Sequence, residues 1–239
     1  MSWVQAVFGW AGVVQLLALF TVLVWRRHYR QLPLFSLYAG GLALTSAAVG
    51  LAYAWRAHAQ EAWLVHQVAS AGLRFGVALE LTYSIFGAFP AAAVTARRVT
   101  FVLLVVTAVT AMSVSSANIT YTQFNAEMVP RLATGAVWIF TALAALVLWY
   151  RLPLGALQRA ILLGYAPYLL VFTVAMNMLA SVGWHVRNGV GYIDTISFFV
   201  LINYWLRVAW RSAPEAAPVA APARIGDAVP ATAYGGEPG

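Results

Sequence analysis

The chain has 239 residues, of which 62% are hydrophobic and only 9% are charged, and its mean hydropathy is +0.78. This composition excludes a soluble globular domain and predicts an integral membrane protein, in which the formal net charge of +7 comes from arginines beside apolar segments and not from a nucleic-acid surface. The absence of cysteine excludes disulfides and cysteine-ligated metals, and the absence of lysine excludes Schiff-base chemistry such as retinal attachment.

Seven segments are apolar and long enough to cross a hydrocarbon core, which takes about 20 residues. In chain order they are Trp3–Trp25, Leu34–Trp55, Trp63–Phe86, Val99–Ile119, Leu132–Tyr150, Leu154–Gly183 and Tyr192–Trp210. Most are joined by short links with proline or glycine, so neighbouring spans should run antiparallel. The predicted fold is an all-α polytopic bundle with one transmembrane domain, residues 1–211. Residues 212–239, rich in alanine and proline, are predicted to form a disordered cytosolic tail.

The distribution of arginine predicts the orientation of the bundle. With the N-terminus outside, ten arginines fall on the cytosolic side and three outside, which favours an N-out, C-in arrangement. The ten are Arg26, Arg27, Arg30, Arg97, Arg98, Arg151, Arg159, Arg207, Arg211 and Arg224. Tryptophans, Trp205 among them, fall mostly at span ends and are interpreted as interfacial residues. The Ala- and Arg-rich composition without lysine is typical of a bacterial protein, so the predicted location is the cell inner membrane.

The third span carries two charges, Arg74 and Glu80. From the start of the span, a rise of about 1.5 Å per residue puts Arg74 near mid-membrane and Glu80 near the cytosolic boundary. The two point about 120° apart, so each needs a partner elsewhere. Arg74 is interpreted as an anchor for an anionic ligand or a relay element, or else as a structural arginine bonded to groups such as Asn177. Glu80 is interpreted mainly as a structural ion pair with Arg159 and Arg207.

The sixth and seventh spans carry most of the other polar groups within the membrane. Thr173, Asn177 and Ser181 follow one another at helical spacing in the sixth span, and Asp194 lies near the outer end of the seventh. Spans three, six and seven are therefore predicted to line a polar cavity, with Arg74, Glu80, Asn177, Asp194 and His66 as ligand or relay candidates. Interhelical hydrogen bonding without any ligand is the alternative.

Histidine and carboxylate residues raise the question of a metal or haem site. His58, Glu61, His66, His185 and Asp194 all fall in the predicted external half of the bundle. No His-x-x-x-His or His-Glu-x-x-His pattern is present, so no metal and no cofactor is predicted, and these side chains are interpreted as solvated interfacial residues. His28, beside arginines in the first link, is expected to contact lipid headgroups.

Three stretches together have a recognisable layout: "LPLFSLYAG" after the arginine-rich first link, "LRFGVALELTYSIF" in the third span, and "YIDTISFFVLINYWLRVAWR" at the end. This layout resembles uncharacterised seven-span bacterial inner-membrane proteins over most of Trp3–Arg211, and the resemblance implies a fold and a location but no activity. The layout also looks like microbial rhodopsins and bacterial seven-span sensor modules. The seventh span lacks the retinal lysine, however, and the tail is too short for the output part of a sensor kinase.

The function predicted from the sequence is that of a non-enzymatic sensory or accessory membrane module, since polar groups concentrate on three spans and no catalytic motif is found. Besides the lipid bilayer, its expected partner is a membrane or signalling protein. The alternative is a small-solute transporter or proton-conducting channel that uses Arg74, Glu80, Asn177 and Asp194, although the internal repeat typical of secondary transporters is missing. A membrane metalloenzyme with an external His/Asp site is a third interpretation.

Overall fold

The structure is a computed structural model that describes residues 3–55, 58–86, 129–150, 154–182 and 187–212, with isolated positions at 98, 102 and 105. These residues form six α-helices, one short 3₁₀ turn and no strand, which confirms the all-helical prediction for the described part of the chain. The helices are α1 (Trp3–Trp25), α2 (Pro33–Ala54), α3 (Ala59–Phe86), α4 (Val129–Tyr150), α5 (Ala156–Val182) and α6 (Arg187–Arg211), and the 3₁₀ turn is His28–Arg30.

Four helical segments in the described residues are long and apolar enough to cross a membrane. They are Val7–Trp25, Pro33–Ala54, Ala156–Leu179 and Gly189–Arg211, and a shorter apolar segment, Thr134–Trp149, lies within α4. Helix α3 has 28 residues but is not among the four, in keeping with the polar side chains that it carries. The predicted fourth span, Val99–Ile119, and the predicted tail beyond Ser212 lie outside the described residues.

The described helices pack as a closed series. Each contacts the next described helix along the chain, and α1 also packs against α6. Short links make the pairs α1–α2, α2–α3, α4–α5 and α5–α6 antiparallel, and the contact of His28 with Ala209 places the end of α6 beside the end of α1. Helices α1, α3, α4 and α6 therefore finish at the end of the bundle where α2 and α5 begin. We call this end, marked by the first residue of α2, the Pro33 end. The packing of α1 against α6 thus brings the first and the last described helices together.

A layer of aromatic side chains fills the bundle and joins α2, α4, α5 and α6. Phe35, Tyr38, Phe140, Tyr165 and Trp205 form it, and each has 0% of its surface exposed. The Trp205 ring centroid lies 5.2 Å from that of Phe35 and 4.8 Å from that of Tyr165, at distances typical of favourable aromatic pairs. We call these five residues the aromatic layer. Burial in it corrects the prediction that Trp205 is an interfacial residue.

The Pro33 end is closed by contacts between the first link and the end of α6. His28 is only 2% exposed, and its Nε2 lies 3.2 Å from the carbonyl oxygen of Ala209, so the ring does not face headgroups as predicted. Burial lowers the pKa of His28, an effect that the hydrogen bond to Ala209 opposes and the charge of Arg26 reinforces. Alongside, the Arg26 guanidinium lies 5.4 Å from the Trp210 ring centroid.

Candidate functional site

Arg74 points from α3 into the bundle, towards α5 and α6. Its guanidinium carbon lies 5.7 Å from the ring centroid of Phe172, a cation–π contact. The carboxylate of Asp194 lies within electrostatic range and accepts a hydrogen bond of 3.1 Å from the hydroxyl of Tyr168. Among the described residues Asp194 makes no direct ion pair with Arg74. The Arg74 cation therefore has a counter-charge nearby, while the guanidinium and the carboxylate do not bond to each other.

The polar atoms closest to Arg74 are not all bonded. The Nε of Arg74 and the hydroxyl oxygens of Tyr38 and Tyr165 are buried, and none makes a hydrogen bond of good geometry in the part of the chain that the structure describes, although the Tyr38 hydroxyl lies close to both the guanidinium and the Tyr165 hydroxyl. The ring centroids of Tyr38 and Tyr165 are 5.8 Å apart, and both hydroxyls lie within electrostatic range of the guanidinium. Since buried polar atoms in proteins are nearly always bonded, three such atoms around one cation call for an explanation. We call Arg74, Tyr38, Tyr165, Tyr168 and Asp194 the Arg74 site.

Glu80, one and a half turns further along α3, has a different environment. One carboxylate oxygen accepts a hydrogen bond from the backbone N–H of Leu34 and the other from that of Phe35, each 2.8 Å long. These are N–H groups of the first turn of α2, which begins at Pro33 and has no side-chain cap from Leu32. A carboxylate satisfies such N–H groups and complements the positive end of the helix dipole. Glu80 therefore caps α2 from a neighbouring helix.

The ion-pair prediction for Glu80 is corrected by this geometry. Arg159 and Arg207 both have exposed side chains, and within the described residues neither forms an ion pair with Glu80. Glu80 itself is only 8% exposed. Its bonding to α2 has a physical reason. The first N–H groups of a helix have no acceptor within the helix, whereas an ion pair with an exposed arginine contributes little free energy.

The aromatic layer lies between the two charges of α3. Phe35 belongs to the layer and also donates its N–H to Glu80, while Tyr38, one turn further along α2, reaches the level of Arg74. Trp205 contacts both of these rings, with centroids at 5.2 Å and 6.5 Å. The buried rings of Phe35 and Tyr38 thus lie at the levels of Glu80 and Arg74, which are about 9 Å apart along α3.

The other ligand candidates on α3 and α5 do not join the Arg74 site directly. The Nδ1 of His66 is hydrogen-bonded to the hydroxyl of Thr45, at 2.9 Å, and links α3 to α2. The predicted stripe on α5 is divided, because Thr173 has a buried hydroxyl while Asn177 and Ser181 are exposed and line a shallow open groove. No hydrogen bond among the described residues joins Asn177 to Arg74.

The external histidines and carboxylates are dispersed. His58 and Glu61 pair at 3.5 Å on an exposed turn, while Asp194 belongs to the Arg74 site. In the described ranges no three His, Asp or Glu side chains lie together in a way that would hold a metal ion. His185 lies outside the described residues.

The tyrosines are the part of the site that the sequence interpretation missed. Tyr165, Tyr168 and Phe172 stand at i, i+3 and i+7 on α5, so they share one helix face. Reading that face beside Arg74 would have identified them, since a buried tyrosine places a hydroxyl inside an apolar environment that needs a partner.

Comparison with known proteins adds no family to this picture. No protein-family model matches the chain, and searches against curated proteins and against solved structures found no match.

Proposed function

We propose that the chain is a non-enzymatic sensory or accessory module of the cell inner membrane, and that it detects a small ligand at the Arg74 site. The ligand would bond the unpaired polar atoms that α2, α3 and α5 present to one another. A change in how these helices pack would then reach a partner membrane or signalling protein. The observation that carries the proposal is the set of three buried, unpartnered polar atoms around one cation.

The proposed topology has seven spans in an N-out, C-in orientation. Four apolar helices and the ten-to-three distribution of arginines support it. A further support is that α3 finishes at the Pro33 end whereas α4 begins at the opposite end. A connection between opposite ends requires an odd number of crossings, and the predicted span Val99–Ile119 supplies one.

Two features of the site support binding over a purely structural arginine. First, Arg74 and Asp194 lie in range of each other without a direct ion pair, although a buried structural pair gains most from direct contact. Second, the unpaired hydroxyls belong to Tyr38 and Tyr165, which have no exposed surface, so bulk solvent does not satisfy them.

Transport is the weaker interpretation. A path that used both Arg74 and Glu80 would have to pass the aromatic layer, whose five side chains are fully buried. Both carboxylate oxygens of Glu80 are also occupied by backbone N–H groups, which removes it as a free relay group. Solute or proton flux in proteoliposomes tests this alternative: wild-type flux that Arg74→Gln abolishes would favour transport over sensing.

Crosslinking in native membranes tests the proposed function. Wild type, Arg74→Gln and the exposed matched control Arg159→Gln are expressed at equal levels, and crosslinked partners are compared. We expect Arg74→Gln to change the yield of a crosslinked partner several-fold and Arg159→Gln to leave it at the wild-type value. An unchanged pattern for a folded Arg74→Gln protein would overturn the proposal.

A further inference from the structure

Resting on the proposed function, we propose that the ligand of the Arg74 site is a small molecule that presents one carboxylate group to Arg74 Nε and to the hydroxyls of Tyr38 and Tyr165. The polar atoms and the charges of the site restrict the chemical class of this ligand.

The unpartnered atoms favour an acceptor with two oxygens. Arg74 Nε–H can only donate, and the two tyrosine hydroxyls can each donate as well, so the site offers up to three donors from three helices. A carboxylate is an acceptor-only group with about four lone-pair positions on two oxygens, and hydrogen bonds between it and a guanidinium are among the strongest in proteins. A carboxylate therefore satisfies all three atoms at once.

The charges around the site favour a ligand with little net negative charge. Asp194 lies within electrostatic range of Arg74, so the site already holds one negative charge against that of the guanidinium. A dianion such as sulfate would leave two excess negative charges in an apolar interior, a simple monocarboxylate one and a zwitterion none, and an uncompensated buried charge costs several kcal/mol or more. A carboxylate with a small apolar body meets the ring of Phe172 and the aromatic layer instead.

The carboxylate can come from two kinds of solute, a simple monocarboxylate or a zwitterion with an ammonium group. An ammonium group would face Asp194 and the rings of Tyr168 and Phe198, whose centroids are 5.6 Å apart. Both solutes share the chemistry at Arg74, and propionate and alanine serve as their respective probes.

Thermal unfolding of the full chain in detergent, at constant ionic strength, tests the inference. We expect propionate or alanine to raise the Tm in a saturable way, because a ligand that binds the folded state stabilises it by mass action. Propionamide, of the same shape but neutral, and sulfate should raise it at least tenfold less effectively. Whichever carboxylate binds more tightly identifies the kind of solute.

Three variants connect the binding to the site. Arg74→Gln should abolish the saturable rise, and Tyr165→Phe, which keeps the ring, should weaken the apparent affinity about tenfold. Tyr204→Phe on the exposed face of α6 is the matched control and should bind as wild type does. If Arg74→Gln does not fold, Tyr165→Phe alone decides.

Several results would overturn the inference: no saturable rise with either carboxylate, an equal rise with propionamide, or a rise that Tyr165→Phe leaves unchanged. The outcome for the proposed function is separate. A propionamide effect that Tyr165→Phe removes would disprove the ligand class and leave a binding site in place. Carboxylate binding with unchanged partner crosslinking in Arg74→Gln would disprove signalling alone.

Discussion

The two charges of α3 differ in how their hydrogen-bonding capacity is used. At the Pro33 end, both oxygens of Glu80 are bonded to α2 at 2.8 Å. In the middle of the helix, Arg74 Nε is buried without a partner in the described part of the chain, and two buried tyrosine hydroxyls beside it are in the same condition. Both charges cost free energy to bury. At Glu80 other parts of the protein donate a hydrogen bond to each charged oxygen, whereas at Arg74 Nε they offer no well-aligned acceptor.

This difference indicates which charge stabilises the fold and which is available for binding. Both oxygens of Glu80 already accept hydrogen bonds from α2, and removal of Glu80 leaves two N–H groups without acceptors. An unsaturated group such as Arg74 gains bonds when a ligand arrives. Packing offers a separate contrast, since Gly164 touches Trp205 of the aromatic layer closely while a Cβ on the exposed Gly72 would meet open space.

The largest expected effect is at the saturated charge. Glu80→Ala should lower the free energy of unfolding by about 3 kcal/mol, because two charge-assisted hydrogen bonds to the start of α2 are lost. Glu80→Gln keeps one acceptor oxygen and should lose roughly half as much. Unfolding in mixed detergent micelles measures both variants.

Glu61 is the control, since it lies on the same helix and has an exposed side chain. Glu61→Ala should change the stability by less than about 0.5 kcal/mol. A Glu80→Ala protein as stable as Glu61→Ala would show that the cap contributes nothing, and the comparison with Arg74 would fail.

Packing offers the next test. A Cβ atom at Gly164 would lie 2.7 Å from Leu201 Cδ1 and 2.9 Å from Trp205 Nε1, so Gly164→Ala should cost about 2 kcal/mol through overpacking between α5 and α6. At Gly72 a Cβ would meet nothing within 4 Å, and Gly72→Ala should be neutral or stabilising by up to about 1 kcal/mol through helix propensity. Thermal unfolding of the pair measures the difference, and equal losses would contradict it.

The Pro33 end should also respond to pH. Histidine in the unfolded chain titrates near 6.5, and burial lowers the pKa of His28 in the folded chain. As the pH falls through 6.5, the unfolded state takes up a proton that the folded state does not, so stability decreases there and is retained above it. The loss should be smaller than that for Gly164→Ala. Tm values at about pH 7.5 and about pH 5.5 measure it.

His28→Gln should reduce this pH dependence and leave the part that comes from the half-buried ring of His66, and His58→Gln should not reduce it, since His58 is 84% exposed in its pair with Glu61. If the change of Tm with pH were the same in His28→Gln as in wild type, the pH response would belong to other groups. The buried contact of His28 with Ala209 would then contribute nothing to it.

Much of the fold could be predicted from sequence because hydropathy and length determine which segments cross a membrane. The bounds predicted for the first span, Trp3–Trp25, are those of α1, the second prediction, Leu34–Trp55, is displaced from α2 by one residue, and the third falls within α3. The separation of Arg74 from Glu80 along α3 followed from helix geometry alone, and the level of Arg74 in the membrane remains a prediction. Seven spans and the orientation remain predictions.

Side-chain partners were harder to predict, for a physical reason. The acceptor need of Glu80 is met by backbone N–H groups of Leu34 and Phe35, and backbone donors carry no signature in the sequence beyond the proline that starts α2. Arg74 was expected to find a polar group such as Asn177, yet it lies among tyrosines. Which face of α5 turns inwards depends on packing against α4 and α6, and a single sequence does not determine that packing.

The smallest expected effect tests the unsaturated side of the comparison most directly. Tyr165→Phe removes a buried hydroxyl that has no partner in the described structure and keeps the ring contacts with Phe140, at 4.6 Å, and Trp205, at 4.8 Å. Without ligand, the variant should therefore unfold within about 0.5 kcal/mol of wild type, or be slightly more stable, because no hydrogen bond is lost.

The matched comparison is Trp205→Phe, which loses a bonded group of the same layer, since Trp205 Nε1 donates to the carbonyl oxygen of Ala160 at 3.1 Å. That variant should lose about 2 kcal/mol or more through the lost bond and the cavity left behind. If Tyr165→Phe lost as much as Trp205→Phe in the absence of ligand, its hydroxyl would already be bonded within the fold. Arg74, like Glu80, would then serve to stabilise the fold, and a ligand-binding role for it would have no support.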